Sequence, residues 1–237
     1  LSIRRQRQMC IRDRPSPLQV IVAGIEAREL LGPHTWQTLK ETWFGLGLSL
    51  VVGLTLALAI DFSAVLRRTL YPVLVASQTV PILALAPLLI IWFGYGILPK
   101  VIVVALVCFF PIVVSTADGL RVADPDLIHL LRAMGASRRQ IFTKVRFPAA
   151  LPSFFSGLKI AITYSVVGAV IGEWVGASQG LGIFMIRSSK NFLTDRVFAA
   201  IAITSFLSIL MFGAVLLLER GLLPWYYAQR EEVWEEL

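Results

Sequence analysis

The feature that most constrains this chain is a set of long segments with almost no charged side chains. These segments are residues 42–60, 70–99, 101–117, 153–172 and 197–218. Only one of them contains a charge, at Lys159. A helix needs roughly 20 apolar residues to cross the hydrocarbon core of a bilayer. Because a soluble fold of this size could not bury so many such segments, the pattern predicts an all-α, polytopic membrane protein.

Five membrane spans fit these segments, near residues 43–60, 70–93, 100–117, 154–172 and 197–218. The alternative is a soluble protein with buried helices, which a chain that is 57% hydrophobic and only 16% charged does not resemble. The second span contains Pro72, Pro81 and Pro87, so we predict that it is kinked or broken. Upstream, residues 15–41 are predicted to form a short interfacial helix that turns at "GPHTW" into the first span.

Small residues recur at every fourth position in two places. The first set is Gly45, Ser49, Gly53 and Ala57, and the second is Gly168, Gly172, Gly176 and Gly180. This spacing lets helix backbones approach closely in lipid. We therefore interpret both sets as packing seams, with direct ligand contact as the alternative.

The first fourteen residues, "LSIRRQRQMCIRDR", are expected to be a non-native leader. They contain five arginines and one aspartate but lack the apolar core of a signal peptide. Without them the formal charge falls from +7 to +3, so a nucleic-acid partner is not expected. The distribution of basic residues places residue 15 on the external side of the membrane. A sixth span is therefore expected to be missing upstream of it.

Cysteine and histidine spacing gives no sign of a disulfide or a metal site. Cys108 lies in the middle of a predicted span and is interpreted as a small packing residue. We predict no catalytic residue, no metal and no cofactor.

The distribution of basic residues predicts the orientation. Segments 61–69, 118–152 and 219–237, together with Lys159, hold eleven Lys and Arg residues, and the opposite side holds six. The positive-inside rule places the first group in the cytoplasm. The tail "EEVWEEL" is then a solvated cytoplasmic end.

The longest cytoplasmic segment, residues 118–152, has its own helical signals. Asp124 can cap a helix and Pro125 suits its first position. An apolar stripe follows at Leu127, Leu130, Leu131 and Met134. "GAS" at 135–137 then predicts a corner between two short helices, and Pro148 and Pro152 predict a stop before the next span. A surface amphipathic helix without a partner is the alternative.

The pattern G-A-S-x-x-x-x-F-x-x-V-x-x-P-A-A-L-P resembles the cytoplasmic EAA loop of binding-protein-dependent ABC transporter permeases. In that family the loop reads E-A-A-x-x-x-G, then a spacer, then I-x-L-P. Gly135 matches the glycine, Val145 the isoleucine and Phe147-Pro148 the L-P pair. His129, Leu130 and Leu131 stand at the E-A-A positions, so the acid of the motif is absent.

The resemblance covers about residues 15–225, leaving 226–237 as a cytoplasmic tail. It implies a multi-pass protein of the bacterial inner membrane whose coupling helix docks on separate ABC ATPase subunits. A second permease chain, expected to form a homodimer, and an extracytoplasmic solute-binding protein are the other implied partners. The residues implied in ATPase coupling are His129, Arg132, Ala133, Gly135, Ala136, Ser137, Arg138, Phe142 and Pro148.

"GEWVGASQGLG" and "RSSKNFLTDRVFAAI" resemble permeases assigned to hydroxymethylpyrimidine or related thiamine precursors, within a group that also imports nitrate, sulfonates and taurine. The resemblance therefore implies import of a small polar solute, with a sulfonate, taurine or nitrate importer as the alternative. The chain has no G-x-x-x-x-G-K-[ST] motif, so ATP hydrolysis is expected on another chain. A self-sufficient channel or secondary transporter is a further alternative. It would need charged residues deep inside the spans, and the long apolar segments contain only Lys159.

Three residues are candidates for the translocation pathway. Gln78 is an amide in a proline-rich span, where helix–helix hydrogen bonding is the alternative. Glu173 and Trp174 end the fourth span, where an interfacial position is the alternative. Asp61 directly follows the first uncharged segment and is interpreted as a water-facing helix end.

Overall fold

The structure, a computed structural model, describes residues 15–227. The predicted leader 1–14 and the acidic residues of the tail lie outside the described residues. The helices are α1 (Pro17–Glu26), α2 (Arg28–Phe62), α3 (Ala64–Ser77), α4 (Ile82–Phe93), α5 (Leu98–Gly119), α6 (Pro125–Ala133), α7 (Arg138–Ile141), a π-helical turn (Phe142–Arg146), α8 (Phe147–Glu173), α9 (Leu181–Lys190) and α10 (Thr194–Leu222). Residues 15–227 contain no β-strand, which confirms the all-α prediction.

Four helical stretches are long and apolar enough to cross a membrane: α2, α5, the run Arg138–Glu173 and α10. Helices α3 and α4 together form a fifth candidate that is bent by 100°. The break lies at residues 78–81, where Pro81 has an extended backbone with a φ of −68° and a ψ of 116°. The five predicted spans are confirmed, including the broken second one, whereas Pro72 and Pro87 lie inside helices.

Helix α5 lies at the centre of the bundle, between α2 and α8. The main core contains Leu46 of α2, Val104 of α5, Ile162 of α8 and Met211 of α10. Cys108 is fully buried, and its thiol donates to the Ala161 carbonyl at 3.2 Å. It is a packing residue, as predicted.

The two seams of small residues explain how the helices approach α5 so closely. A Cβ on Gly53 of α2 would stand 2.9 Å from Ile112 Cγ2. On the other side, a Cβ on Gly168 of α8 would stand 3.3 Å from Val107 Cγ2. The packing interpretation is therefore confirmed for the parts of both seams that lie in the spans.

The predicted turn at "GPHTW" is wrong, because α2 is continuous from Arg28 through Pro33. A proline in a helix removes a single backbone hydrogen bond, and Pro33 lies near the helix start. The helical course places His34 and Thr38 one turn apart. Both side chains accept hydrogen bonds from the backbone at the start of α9, which stabilises the continuous helix.

The predicted stop at Pro148 and Pro152 is also wrong, since α8 follows the π-helical turn directly. The Phe147 N–H bonds the Phe142 carbonyl, five residues back. The wider turn relieves the clash that a proline ring makes with the carbonyl four residues before it. Pro148 then occupies the first turn of α8, where its missing N–H costs nothing.

Candidate functional site

The segment of residues 124–148, which we call the basic segment, begins with a locally specified helix. The Asp124 carboxylate accepts the Asp126 N–H at 2.8 Å, and Pro125 occupies the first turn of α6. At its end, Gly135 has a φ of 82°. The Gly135 N–H bonds the Arg132 carbonyl at 3.0 Å, and the Ala136 N–H bonds the Leu131 carbonyl at 2.9 Å. This is a Schellman motif, so the predicted corner is confirmed, and the positive φ of residue 135 favours glycine there.

Helix α7 starts immediately after the corner. Ser137 and Gln140 form a capping box, in which Ser137 Oγ accepts the Gln140 N–H at 3.3 Å and Gln140 Oε1 accepts the Ser137 N–H at 2.8 Å. The two backbone donors are thereby satisfied without any outside partner. The helix–corner–helix shape of the basic segment is therefore set by its own sequence.

The residues that the sequence predicted for ATPase coupling largely come together. A cleft of about 950 Å³ is lined by His129, Arg132, Ala136, Arg138 and Phe142. Three others, Ala133, Gly135 and Ser137, lie at the adjoining corner. Pro148 is separate, because it lies in the first turn of α8.

The apolar stripe of α6 is not covered by the described part of the chain. Leu130 is 57% exposed and Met134 is 74% exposed. Arg132 and Arg138 flank the same corner. The surface combines apolar side chains with a basic rim, which is the composition of a protein-contact face.

Arg146 fixes the base of the basic segment. Its Nη2 donates to Asp61 Oδ1 at 2.6 Å and to the Leu120 carbonyl at 2.9 Å. The Asp61 side chain is only 4% exposed, so the water-facing interpretation of this residue is wrong. The correction has a physical cause, because a carboxylate at a helix end can be buried when an arginine neutralises it.

At the predicted external end, Glu173 is fully buried within the protein. Its Oε1 accepts the Thr38 hydroxyl at 2.6 Å, and its Oε2 accepts the Gly182 N–H. Trp174 follows it and remains 44% exposed. The hydrogen bonds from α2 and α9 replace the water that an interfacial carboxylate would bind.

The start of α9 is held entirely by side chains from other helices. His34 Nδ1 accepts the Gly180 N–H at 2.8 Å, and Thr38 Oγ1 accepts the Leu181 N–H at 2.9 Å. With the Glu173–Gly182 bond, three backbone donors at this helix end are satisfied. We call His34, Thr38, Glu41, Lys100 and Glu173 the external cluster.

A buried ion pair completes the external cluster. Lys100 Nζ lies 3.1 Å from Glu41 Oε1, and the side chains are 8% and 0% exposed. Gln37 Nε2 donates to the same Glu41 oxygen at 2.7 Å. The other oxygen, Glu41 Oε2, is buried without a partner among the described residues. The external cluster therefore joins α2, α5, α8 and α9 through buried polar contacts.

The basic segment and the external cluster lie at opposite ends of one helical bundle. Residues 49–224 match the family described as "Binding-protein-dependent transport system inner membrane component". The chain belongs to this family.

Curated relatives show which permeases of this family the chain is similar to in sequence. The chain is 46% identical over 212 residues to the formylaminopyrimidine transport permease protein ThiX of Halalkalibacterium halodurans, covering 89% of this chain and 85% of that protein. It is 34% identical to the putative aliphatic sulfonates transport permease protein SsuC of Bacillus subtilis, covering 89% of this chain and 77% of the relative. The taurine transport system permease protein TauC of Escherichia coli is 32% identical, with coverages of 90% and 80%.

Solved structures show the same fold. A structure of the MetNI methionine ABC transporter in an inward-facing conformation matches with a TM-score of 0.73 and 23% identity, covering 83% of this chain and 97% of that one. The permease is therefore a multi-pass subunit of an ABC importer in the bacterial inner membrane, in the group that includes the nitrate, sulfonate, taurine and thiamine-precursor permeases.

The three candidates for the translocation pathway lie in two separate parts of this permease. Gln78 is exposed at the break between α3 and α4, whereas Glu173 and Trp174 lie at the end of α8. Sequence reasoning missed most of the external cluster. One signal was present: Glu41, Lys100 and Glu173 each border a segment with few or no charges, and all three fall on the same predicted side of the membrane.

Proposed function

We propose that this permease imports a small pyrimidine precursor of thiamine, which a solute-binding protein delivers to the external face. Two permease chains would form the passage, and two separate ABC ATPase subunits would drive it. The observation that carries the substrate is the 46% identity to the formylaminopyrimidine permease over 89% of the chain. At this identity the relative's solute is the first one to test.

The basic segment supports docking of an ATPase. Its helix–corner–helix shape is fixed locally, its apolar stripe is uncovered by the described chain, and its cleft is lined by His129, Arg132 and Arg138. A partner with a groove of apolar side chains and acidic residues at its edge would bury the stripe and pair with the arginines.

One observation favours a second candidate, an anionic solute such as a sulfonate. An external cleft of about 610 Å³ is lined by Lys100 and Arg187 together with Gln37 and Gln179. Lys100 is already paired with Glu41, so Arg187 and the two amide side chains would be the groups that suit an anionic solute approaching from outside.

The test is uptake into proteoliposomes that contain the permease, its cognate ATPase and its binding protein. We expect ATP-dependent uptake of formylaminopyrimidine at least about tenfold above that of taurine, which corresponds to about 1.4 kcal/mol of discrimination. The permease without the ATPase should hydrolyse no ATP above background. Preferred uptake of taurine would support the anionic candidate instead, and ATP hydrolysis by the isolated chain would contradict the proposal.

Substitutions of Gly135 test the basic segment as the docking site. Because its φ is 82°, valine should be strained there by about 1–2 kcal/mol or more, whereas asparagine tolerates this conformation. We expect Gly135→Val to reduce co-purification of the ATPase about tenfold and Gly135→Asn to retain most of it, with normal membrane insertion of both.

The control is Gly221→Ala at the end of α10, where an added Cβ meets nothing within 4 Å. It should leave ATPase recovery unchanged. Full ATPase recovery with Gly135→Val would show that this corner is not the docking site.

A further inference from the structure

We propose that Arg146 is a positioning residue that transmits movement of the basic segment to the ends of α2 and α5. The inference rests on the proposed function, because an ATPase must first move the basic segment. It concerns a different step, which is how that movement reaches the membrane spans.

A single guanidinium joins three spanning helices. Arg146 immediately precedes α8, Asp61 lies one residue before the end of α2, and Leu120 directly follows α5. Arg146 Nη2 donates to Asp61 Oδ1 at 2.6 Å and to the Leu120 carbonyl at 2.9 Å, and Nε donates to the same carbonyl at 3.2 Å. The side chain therefore bridges both neighbouring helix ends at once.

The bridge is strong because its acceptors have little access to water. The Asp61 side chain is 4% exposed and Leu120 is 1% exposed. If Arg146 moved away alone, it would leave a buried carboxylate without its cation and a helix-terminal carbonyl without a donor. A displacement of Arg146 therefore carries the ends of α2 and α5 with it. The planar guanidinium also holds the two acceptors at a fixed relative position, which a lysine ammonium cannot do.

Arg146 also lies at the mechanical junction of the basic segment. It is the last residue of the π-helical turn that connects α7 to α8. Such turns are rare and recur at functional positions of helices. Movement of α6 and α7 reaches the bundle through this turn. Phe142 of the turn packs against Phe62 at the end of α2, with ring centroids 5.7 Å apart, and Arg146 bonds both helix ends.

Asp61 can gain a second partner during such a movement. Its Oδ2 is buried without a partner in the described chain. The residue also lines a cleft of about 430 Å³ together with Arg67 and Arg121. Oδ2 is therefore free to bind one of these arginines while Oδ1 keeps Arg146, so the end of α2 can move with Arg146.

The protein offers a matched control. Lys159 of α8 pairs with Glu219 of α10 at 2.9 Å, with side-chain exposures of 23% and 3%, close to the 26% and 4% of Arg146 and Asp61. This pair joins two spans but does not include the basic segment. A purely structural role for Arg146 predicts the same behaviour for both pairs.

The experiment is amide hydrogen exchange of the complex of permease and ATPase in lipid nanodiscs, with and without ATP plus orthovanadate. In the wild type, nucleotide should change exchange in the part of the basic segment that holds α6 and α7 (residues 125–141) and at the two helix ends (residues 58–64 and 117–123). In Arg146→Gln, the change should persist in the basic segment and fall at the helix ends to less than about half. Arg146→Lys should be intermediate, and Lys159→Gln should behave as the wild type.

The outcomes separate the two proposals. If nucleotide changes nothing in the wild-type basic segment, the proposed docking and this inference with it are contradicted. If the basic segment responds but the helix ends of Arg146→Gln respond as in the wild type, the inference alone is overturned. Equal losses in Arg146→Gln and Lys159→Gln would also overturn it, because the effect would then be general destabilisation.

Discussion

Replacing Gly180 by alanine is expected to prevent the permease from accumulating in a folded form. Gly180 has a φ of 134°, a conformation that side chains other than glycine rarely adopt. An added Cβ would also overlap the Glu173 carboxyl group. That carboxyl cannot simply move aside, since it accepts hydrogen bonds from Thr38 and Gly182. We expect a loss of roughly 3–5 kcal/mol, from backbone strain at Gly180 together with the disruption of buried hydrogen bonds.

The measurement is the thermal unfolding temperature in detergent together with the yield from membranes. Gly32→Ala is the matched control, because Gly32 lies in α2 and an added Cβ there meets nothing within 4 Å. It should unfold at the wild-type temperature or slightly above. Wild-type stability of Gly180→Ala would mean that Glu173 does not occupy the position described here.

Replacing Lys100 by methionine is expected to have an effect of similar size. Met fills a similar volume but leaves Glu41 without its cation. Glu41 Oε2 already lacks a partner, so Oε1 would keep only the hydrogen bond from Gln37. An uncompensated buried charge of this kind costs about 3–5 kcal/mol.

A second substitution distinguishes lost charge balance from lost packing. Glu41→Gln in the Lys100→Met background removes the unpaired charge and keeps the shape of the side chain. We expect the double variant to recover at least about half of the lost stability, as measured in a double-mutant cycle of unfolding free energies. A double variant no more stable than Lys100→Met would contradict this explanation, because the lost stability would then not come from the unpaired charge of Glu41.

The spans and the basic segment were predictable because their signals are local. Uncharged segments mark the helices directly, and the corner at Gly135 is specified by residues within a few positions of it. The predicted stop at Pro148 was wrong because a π-helical turn, which no propensity indicates, accommodates the proline. Local rules for proline assume an α-helical neighbour, and here that assumption failed.

The buried polar contacts could not be predicted because their partners are far apart in sequence. The Thr38–Glu173 bond spans 135 residues, and the Asp61–Arg146 bond spans 85. Taken alone, Asp61 and Glu173 have the sequence context of an exposed helix end, since each directly follows a largely uncharged segment. Only the packing of α2 against α5 and α8 brings the opposite partners together and removes water from them.

The bend between α3 and α4 limits which side of this permease can meet lipid. Helix α3 has 14 residues, so it covers about 21 Å before the chain breaks, which is less than the roughly 30 Å of hydrocarbon core. Non-helical backbone at that depth is tolerated only against protein or water. The side of the bundle that carries Gln78 must therefore be shielded from acyl chains. A permease reconstituted with brominated lipids should accordingly show little quenching of a fluorophore attached at residue 79, and strong quenching at an exposed position of α10.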